Sequence, residues 1–483
     1  MEKWVKQTTS IILHQGVNLS GFPLLCMKLC ARTLALFFAF AFAVAAHAAQ
    51  PTFEQRLPNG LKLIVKPDRR APVVVSQIWY RVGSMDEVSG KTGVAHVLEH
   101  MMFKGTKAVP AGEFSRLIAA AGGRENAFTS LDYTAYFQQL SKDKLPLALR
   151  LEADRMRNLQ ISDAEFTKEV KVVMEERRGR TEDEPQALLY ENLAAVAYRT
   201  SPYRNPIIGW MDDLQNLRAD DARDWYKTWY APNNATLVIV GDVEPAAVRR
   251  LIEQYFGPIR PSRLPDRTKR REPTPRGIQR IVVKAPAKLP SLLMAYHVPN
   301  LVNVQGDSEP YALEMLAGVL DAGASSRLTQ RLVRERRIAN DVGVGYDALS
   351  RLPSLFTLSG VPSEGKTVAE LESALRAEID DIKQNGIGQD ELERMRAQII
   401  AAQVYQRDSM FYQAMLIGEY ETIGYSHRDI DAINEKLKQV TPAQVQAVAR
   451  KYLIDDALTI AVLDPQPLEP AAAAKSGGGR HGR

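Results

Sequence analysis

The sequence predicts an α+β protein of two tandem homologous domains, each a mostly antiparallel sheet with helices packed on one face. The first observation behind this is an internal repeat. WYAPNNATLVIVGD (229–242) aligns with KYLIDDALTIAVLD (451–464) at a constant offset of 222, pairing Tyr230 with Tyr452 and Asp242 with Asp464. A helical stretch of similar type precedes each copy, ADDARDWYKTWY and PAQVQAVARKYL. A repeat of this length means two similar domains rather than a short-period solenoid. The second observation is the mixture of strand-like and helical apolar patterns within each copy. The third is bulk: 483 residues, 45% hydrophobic and 25% charged, are enough for more than one core.

The elements follow in order. Leu61–Val65, placed directly after Asn59-Gly60, reads as one strand of a hairpin, and Val73–Tyr80 as a β-branched strand. Helical periodicity covers 92–103, 112–122, 144–158, 163–181 and 184–198. Leu237–Val240 is a strand that stops at Gly241-Asp242, and a helix spans 245–256. Residues 261–276 hold four prolines and a run of arginines, the composition of an extended, solvated linker. The first domain is therefore expected over 52–260 and its homologue over 277–465. The tail, 466–483, is rich in alanine and glycine and is expected to be disordered.

The N-terminus carries a different signal. Lys28 and Arg32 precede LALFFAFAFAVAA, and the run ends at Ala46-His47-Ala48. A basic start, a short apolar run and a small-x-small site make a signal peptide, expected over 1–48. The apolar run is shorter than the roughly 20 residues of a membrane span, so no stable anchor is expected. Residues 1–26 fit no targeting pattern and read as an over-extended start, with translation beginning at Met27. Both cysteines, Cys26 and Cys30, precede the cleavage site, so the mature chain would contain no thiol. This suggests a periplasmic or secreted protein of a bacterial envelope. Of the net charge of +5, +3 lies within 1–48, and the remaining +2 gives no reason to expect nucleic acid.

The chemistry is concentrated in GVAHVLEHMMFKGT (93–106). His96 and His100 are four residues apart, which puts both imidazoles on one face of a helix. Neutral imidazole is a natural zinc ligand, and a catalytic zinc takes three protein ligands and a water. Glu99 shares that face at an offset, placed to reach the metal's water and act as general base. The second copy keeps the helix and loses the imidazoles. AHVLEHM (95–101) aligns with PYALEML (310–316), so that His96 becomes Tyr311, Glu99 stays acidic as Glu314 and His100 becomes Met315. A third ligand is required. Candidates lie in EFTKEVKVVMEERRGR (165–180), where Glu169 and Glu176 return to one face after two turns and Glu175 points about 100° away. One of the paired acids can bind the metal while the other orients a ligand.

These pieces, together with GGRENAFTSLDYTAYF (122–137) and KEVKVVMEERR (168–178), resemble the pitrilysin family of zinc metallopeptidases. These are the inverted zincins with H-x-x-E-H, and the branch is the one like mitochondrial processing peptidase, here as a bacterial exported member. The resemblance covers about 52–464. It implies one Zn²⁺ per chain held by His96, His100 and Glu176, with Glu169 orienting a ligand and Glu99 as the base. The 122–137 stretch itself suggests a strand beginning at Asn126. The resemblance makes this an open edge on which a peptide lies as an added strand, with Asn126 and Ala127 in contact.

One departure stands out. The family's second half usually offers an arginine and a tyrosine to the substrate, in a stretch like L-R-E-K-R-G-L-A-Y. Here VRERRIAN (333–340) keeps Arg334 as the substrate-binding candidate but is shorter and has Asn340 in the tyrosine's place, with Tyr346 too far along to be a substitute. The resemblance then implies a sister family subunit that supplies Arg and Tyr in a heterodimer, or else a homodimer. The function expected is an exported zinc endopeptidase acting on peptides or unfolded segments. The alternative is a non-catalytic assembly or peptide-binding subunit of an envelope complex. The mature protein should begin near Ala49. N-terminal sequencing of the exported form checks this, and recovery of residues 33–46 in a membrane fraction would replace the signal by an anchor.

Overall fold

The computed structural model describes residues 51–267 and 271–468; the signal segment and nearly all of the tail lie outside the described residues. The first half runs β1 (Phe53–Arg56), β2 (Lys62–Pro67), β3 (Val73–Tyr80), α1 (Val94–Met101), α2 (Glu113–Ala120), β4 (Arg124–Thr129), β5 (Thr134–Ser141) and α3 (Leu145–Asn158). It continues with α4 (Asp163–Arg177), α5 (Pro185–Ala197), α6 (Met211–Asn216), α7 (Ala219–Trp229), β6 (Ala235–Gly241) and α8 (Pro245–Tyr255). The second half runs β7 (Gln279–Pro286), β8 (Ser291–Val298), α9 (Glu309–Leu320), β9 (Ala339–Gly345) and β10 (Ser354–Pro362). It closes with α10 (Val368–Asn385), α11 (Gln389–Asp408), α12 (Met410–Ile423), α13 (Asp429–Gln439), α14 (Pro442–Tyr452) and β11 (Leu458–Gln466).

Two sheets result, ordered β1-β2-β6-β3-β5-β4 and β7-β11-β8-β10-β9. In the first sheet the last strand, β6, inserts between β2 and β3, and in the second β11 inserts between β7 and β8, each parallel to the earlier strand and antiparallel to the later one. Every other pairing is antiparallel. The inserted strands β6 and β11 are the two copies of the sequence repeat, so the repeat is a repeat of topology. The β1–β2 hairpin turns at Gly60, whose φ of +93° suits glycine. The strand expected from Asn126 is in fact a hairpin: β4 ends at Thr129, and the Ser130 N–H donates to the Tyr133 carbonyl before β5 begins. Residues 261–267 and 271–276 carry neither helix nor strand but are pinned. Arg267 pairs with Asp86, and Glu272 accepts the N–H groups of Arg199, Thr200 and Ser201.

Each half packs its own helices over one sheet face, forming the two large cores. The opposite faces are covered by exchange. From the second half, α12 lays Met410, Ala414 and Ile417 on Ile64, Val75, Trp79 and Val238 of the first sheet. From the first half, α5 lays Leu189, Leu193 and Ala197 on Val283, Ala285, Leu293 and Ala461 of the second. Close approach in the first of these contacts requires glycine. A Cβ on Gly418 would stand 2.1 Å from the indole of Trp79. That indole is fully buried and donates to the Gln77 side chain at 3.1 Å. Alanine should improve helix propensity by about 1 kcal/mol and cost about 1–3 kcal/mol in overpacking. Gly418→Ala should therefore be a net loss of up to about 2 kcal/mol, read as a lower denaturant midpoint.

Candidate metal centre

The site is built on α1, and α1 starts on a buried acid. Gly93 adopts φ +88°, and a Cβ there would meet the Ile208 carbonyl at 2.7 Å. The first turn of a helix leaves N–H groups without partners. Here the two carboxylate oxygens of Glu87 accept from the Gly93 N–H (2.9 Å) and the Ala95 N–H (2.8 Å). Burial pushes the Glu87 carboxyl up to about 8, while these two donors act in the opposite direction. Val97, Leu98 and Met101 of α1 are fully buried in the first core, which leaves His96, Glu99 and His100 along its other side.

The partner helix α4 begins at Ser162, whose hydroxyl accepts from the Glu165 N–H, an N-cap. Phe166, Val170 and Val173 bury its inner face. Its far end is fixed by Arg177, which makes a two-pronged contact with Glu191 (2.8 Å each) and donates to the Gly209 carbonyl. Glu169 and Glu176 thereby face α1. The nearest oxygen of Glu169 stands 3.0 Å from His100 Nδ1, and its other oxygen is 2.5 Å from Lys104 Nζ. Glu176 Oε2 stands 3.4 Å from His100 Nε2, while its Oε1 pairs with Arg180 at 2.6 Å.

His96, His100 and Glu176 bring one donor atom each within 4.8 Å of one another. Four-coordinate zinc with bonds of 2.0–2.1 Å would set ligand atoms roughly 3.3–3.5 Å apart, so the donor set fits a zinc ion with modest closing. Two further observations agree. A Glu169 carboxylate accepting from His100 Nδ1–H leaves Nε2 unprotonated, with its lone pair toward Glu176. His96 Nδ1 is buried with no hydrogen-bond partner among the described residues, an incomplete set of the kind a bound ion accompanies. Burial, with His100 and Arg180 adding to it, pushes the His96 imidazole down to about 3 and keeps it neutral. Glu99 is 9% exposed. Burial raises its pKa, against which the hydroxyl of Thr129 donates to Oε2 at 2.5 Å.

These side chains border a cleft of about 900 Å³ that also includes Asn126, Ala127, Tyr190 and Ile208. Asn126 and Ala127 pair with Phe137 and Tyr136 on β5. Because β4 is the last strand of its sheet, its other edge is open. Arg334 is not brought to this cleft: it is exposed at the end of a helical turn before β9, and every residue lining the cleft lies between His96 and Ile208. Asn340 is exposed on β9, and the Tyr346 hydroxyl is engaged with the Pro299 carbonyl at 2.6 Å. The sequence reading missed Glu87, Lys104, Thr129 and Arg177 as neighbours of the site. It also missed Arg351, which reaches from the second half to Asp86 (2.9 Å) and to the backbone and side chain of Asp132.

Two tandem α+β halves with a His-His-Glu donor set on one of them define the architecture of an inverted zinc-peptidase protein. The chain belongs to the M16 peptidase family, that of insulinase and pitrilysin. Residues 62–210 match Insulinase (Peptidase family M16), and residues 216–399 match the Peptidase M16 inactive domain. The zinc protease PqqE of Helicobacter pylori is 31% identical over 85% of this chain and 92% of its own length. An uncharacterized zinc protease of Streptomyces coelicolor is 28% identical over 82% and 86%. The crystal structure of a Helicobacter pylori protease superposes with a TM-score of 0.81 at 30% identity, covering 86% of this chain and all of that one. The periplasmic protease PqqL of Escherichia coli, at 19% identity, shares the fold with a TM-score of 0.72, over 88% of this chain and 50% of that one. Among the described residues, no helix is long and apolar enough to cross a membrane.

Proposed function

We propose that this chain is an exported zinc-dependent endopeptidase that cleaves peptides or unfolded segments. The observation that carries the reading is the convergence of His96, His100 and Glu176 within 4.8 Å, with Glu99 beside them and the open edge of β4 along the same cleft. Export rests on the leader read over 27–48. The working unit is a domain over 52–260 and its homologue over 277–465, joined by 261–276. Zinc, when bound, supplies Lewis acidity toward water and the scissile carbonyl. His96, His100 and Glu176 hold it, and Glu169 keeps His100 in the tautomer that presents Nε2. Glu99 takes the proton of the attacking water. A peptide laid along β4 hydrogen-bonds through its main chain, which sets register while tolerating many sequences. The alternative of a non-catalytic assembly or peptide-binding subunit is opposed by a complete donor set with an acid in the base position.

Glu176→Gln removes a charged ligand and should lower zinc content. Glu99→Gln should retain zinc and lose turnover of a quenched fluorescent peptide by about 10²–10⁴-fold. If Glu176→Gln held zinc as tightly as the parent, Glu169 would be the better ligand; if Glu99→Gln turned over normally, the peptidase reading would fall.

The second half offers the cleft no arginine–tyrosine pair, with Arg334 and Asn340 both exposed away from it and Tyr346 engaged elsewhere. Among the described residues, the developing oxyanion therefore has no donor from the second half of this chain. A sister family member that keeps Arg and Tyr would supply it, with a homodimer as the alternative. The purified chain should be a weak peptidase, and such a sister should raise its turnover by about 10²–10³-fold, the usual worth of an oxyanion donor. Full activity of the lone chain, unchanged by any partner, would favour the homodimer.

A further inference from the structure

The base has a side-chain partner that nothing so far has assigned a task. Among the described residues, the Thr129 hydroxyl is the one hydrogen-bond donor to the Glu99 carboxylate, reaching Oε2 at 2.5 Å. A carboxylate held by one oxygen loses rotation about its last bond, and an O–H···O⁻ bond of this length is of the strong, charge-assisted kind. The other oxygen stays free to receive a proton. Thr129 itself has little freedom. It is the last residue of β4, pairs with Thr134 on β5, and is β-branched, which stiffens its first side-chain torsion.

The turn beyond it is fixed from several directions. The Ser130 N–H donates to the Tyr133 carbonyl at 2.8 Å. The carbonyls of Ser130 and Leu131 accept from the Ser84 and Met85 N–H groups at 3.1 and 2.9 Å. Gly83 lets these segments touch, since a Cβ there would stand 2.4 Å from the Ser130 oxygen. Asp132 accepts from the Tyr203 hydroxyl at 2.7 Å and from the Arg351 N–H at 3.2 Å, and the Arg351 guanidinium also bridges to Asp86. The hydroxyl that touches Glu99 is thus carried on a strand end braced by both halves of the chain.

We propose that Thr129 is a positioning residue for the peptidase reaction: it clamps one oxygen of Glu99 so that the other accepts the proton of the attacking water. The inference rests on the zinc-peptidase reading. In the step, the water O–H bond breaks, its proton passes to the free oxygen of Glu99, and the Thr129 proton stays on its own oxygen. Thr129 then acts through the orientation of Glu99 and leaves metal and peptide binding unaffected.

The test uses the zinc-loaded full chain, with its activating partner where one is needed, and four variants: Thr129→Val, Thr129→Ser, Glu99→Gln and the Glu99→Gln/Thr129→Val double variant. Valine keeps the volume and removes the hydroxyl, and serine restores it. Thr129→Val should lower kcat by about 10- to 100-fold, as for the loss of a group that orients a site residue. KM, zinc content and thermal midpoint should stay at parental values. Thr129→Ser should recover most of kcat, and the double variant should be no slower than Glu99→Gln alone. Parental kcat in Thr129→Val overturns the proposal. So does a loss of turnover that tracks loss of zinc or of the thermal midpoint and is not rescued by serine. Either result alongside an inactive Glu99→Gln leaves the zinc-peptidase reading intact; an active Glu99→Gln removes that reading instead.

Discussion

The first turn of α1 is the constraint on which the site depends. A helix that carries two imidazoles and a carboxylate along one side, and a fully packed core along the other, has little freedom to shift. Its N-terminal N–H groups lie where water does not reach, and Glu87 satisfies two of them with a single buried carboxylate. A buried carboxylate is costly unless it is fully hydrogen-bonded, and the helix start offers both donors and a favourable dipole. The arrangement is mutual: without Glu87 the helix end is unsatisfied, and without the helix end the buried Glu87 carboxyl loses the two donors that oppose its upward shift. Gly93 completes it, because the left-handed turn that aims both N–H groups at Glu87 also passes against the Ile208 carbonyl, with no room for a side chain.

That local device is tied to the whole chain through the segment around Asp86. Asp86 takes ion pairs from Arg267, beyond the first half's last helix, and from Arg351 of the second half. The side chains of Asp86 and Arg351 are 4% and 7% exposed, so breaking their pair would leave each buried charge with fewer partners. The exchanged helices work in the same direction on a larger scale. Because α12 covers the outer face of the first sheet and α5 that of the second, neither half can bury its sheet alone. The second half therefore contributes to a site in which it has no ligand.

The parts of this arrangement readable in the sequence are those written locally or written twice. His96 and His100 announce themselves by a four-residue spacing on an otherwise apolar helix. The repeat ending in β6 and β11 announced the common topology of the halves. Glu169 and Glu176 could be paired by helical period, but choosing between them needed the family resemblance. Thr129 and Glu87 were invisible, because nothing in an isolated threonine or glutamate says which distant atom it will meet. The β4–β5 turn was missed because Leu131 and Tyr133 continue the pattern of the flanking strands, although Ser130 and Asp132 are turn-favouring residues. The exchange of α12 did leave a trace. MFYQAMLIGEYETI is apolar on more than one face, as a helix covered on both sides must be.

The second half shows what the same unit becomes when chemistry is removed from it. On α9, Tyr311 and Met315 occupy the positions of the two histidines and are buried at 3% and 0% exposure. The Tyr311 hydroxyl donates to the Val304 carbonyl at 2.9 Å, so the group that replaced an imidazole is satisfied within the core. Glu314, at the position of the base, survives, but without imidazoles beside it. Burial, with Asp347 adding repulsion, pushes it up to about 7, and no cationic or metal-binding cluster faces it among the described residues. A buried acid with a raised pKa is tolerable because it can hold its proton. The same carboxyl in the first half is also raised by burial, but there the Thr129 hydroxyl donates to it and acts in the opposite direction. The two halves thus share a backbone plan and differ in what that plan is asked to bury. One closes over apolar side chains, while the other keeps a polar seam open along the edge of β4.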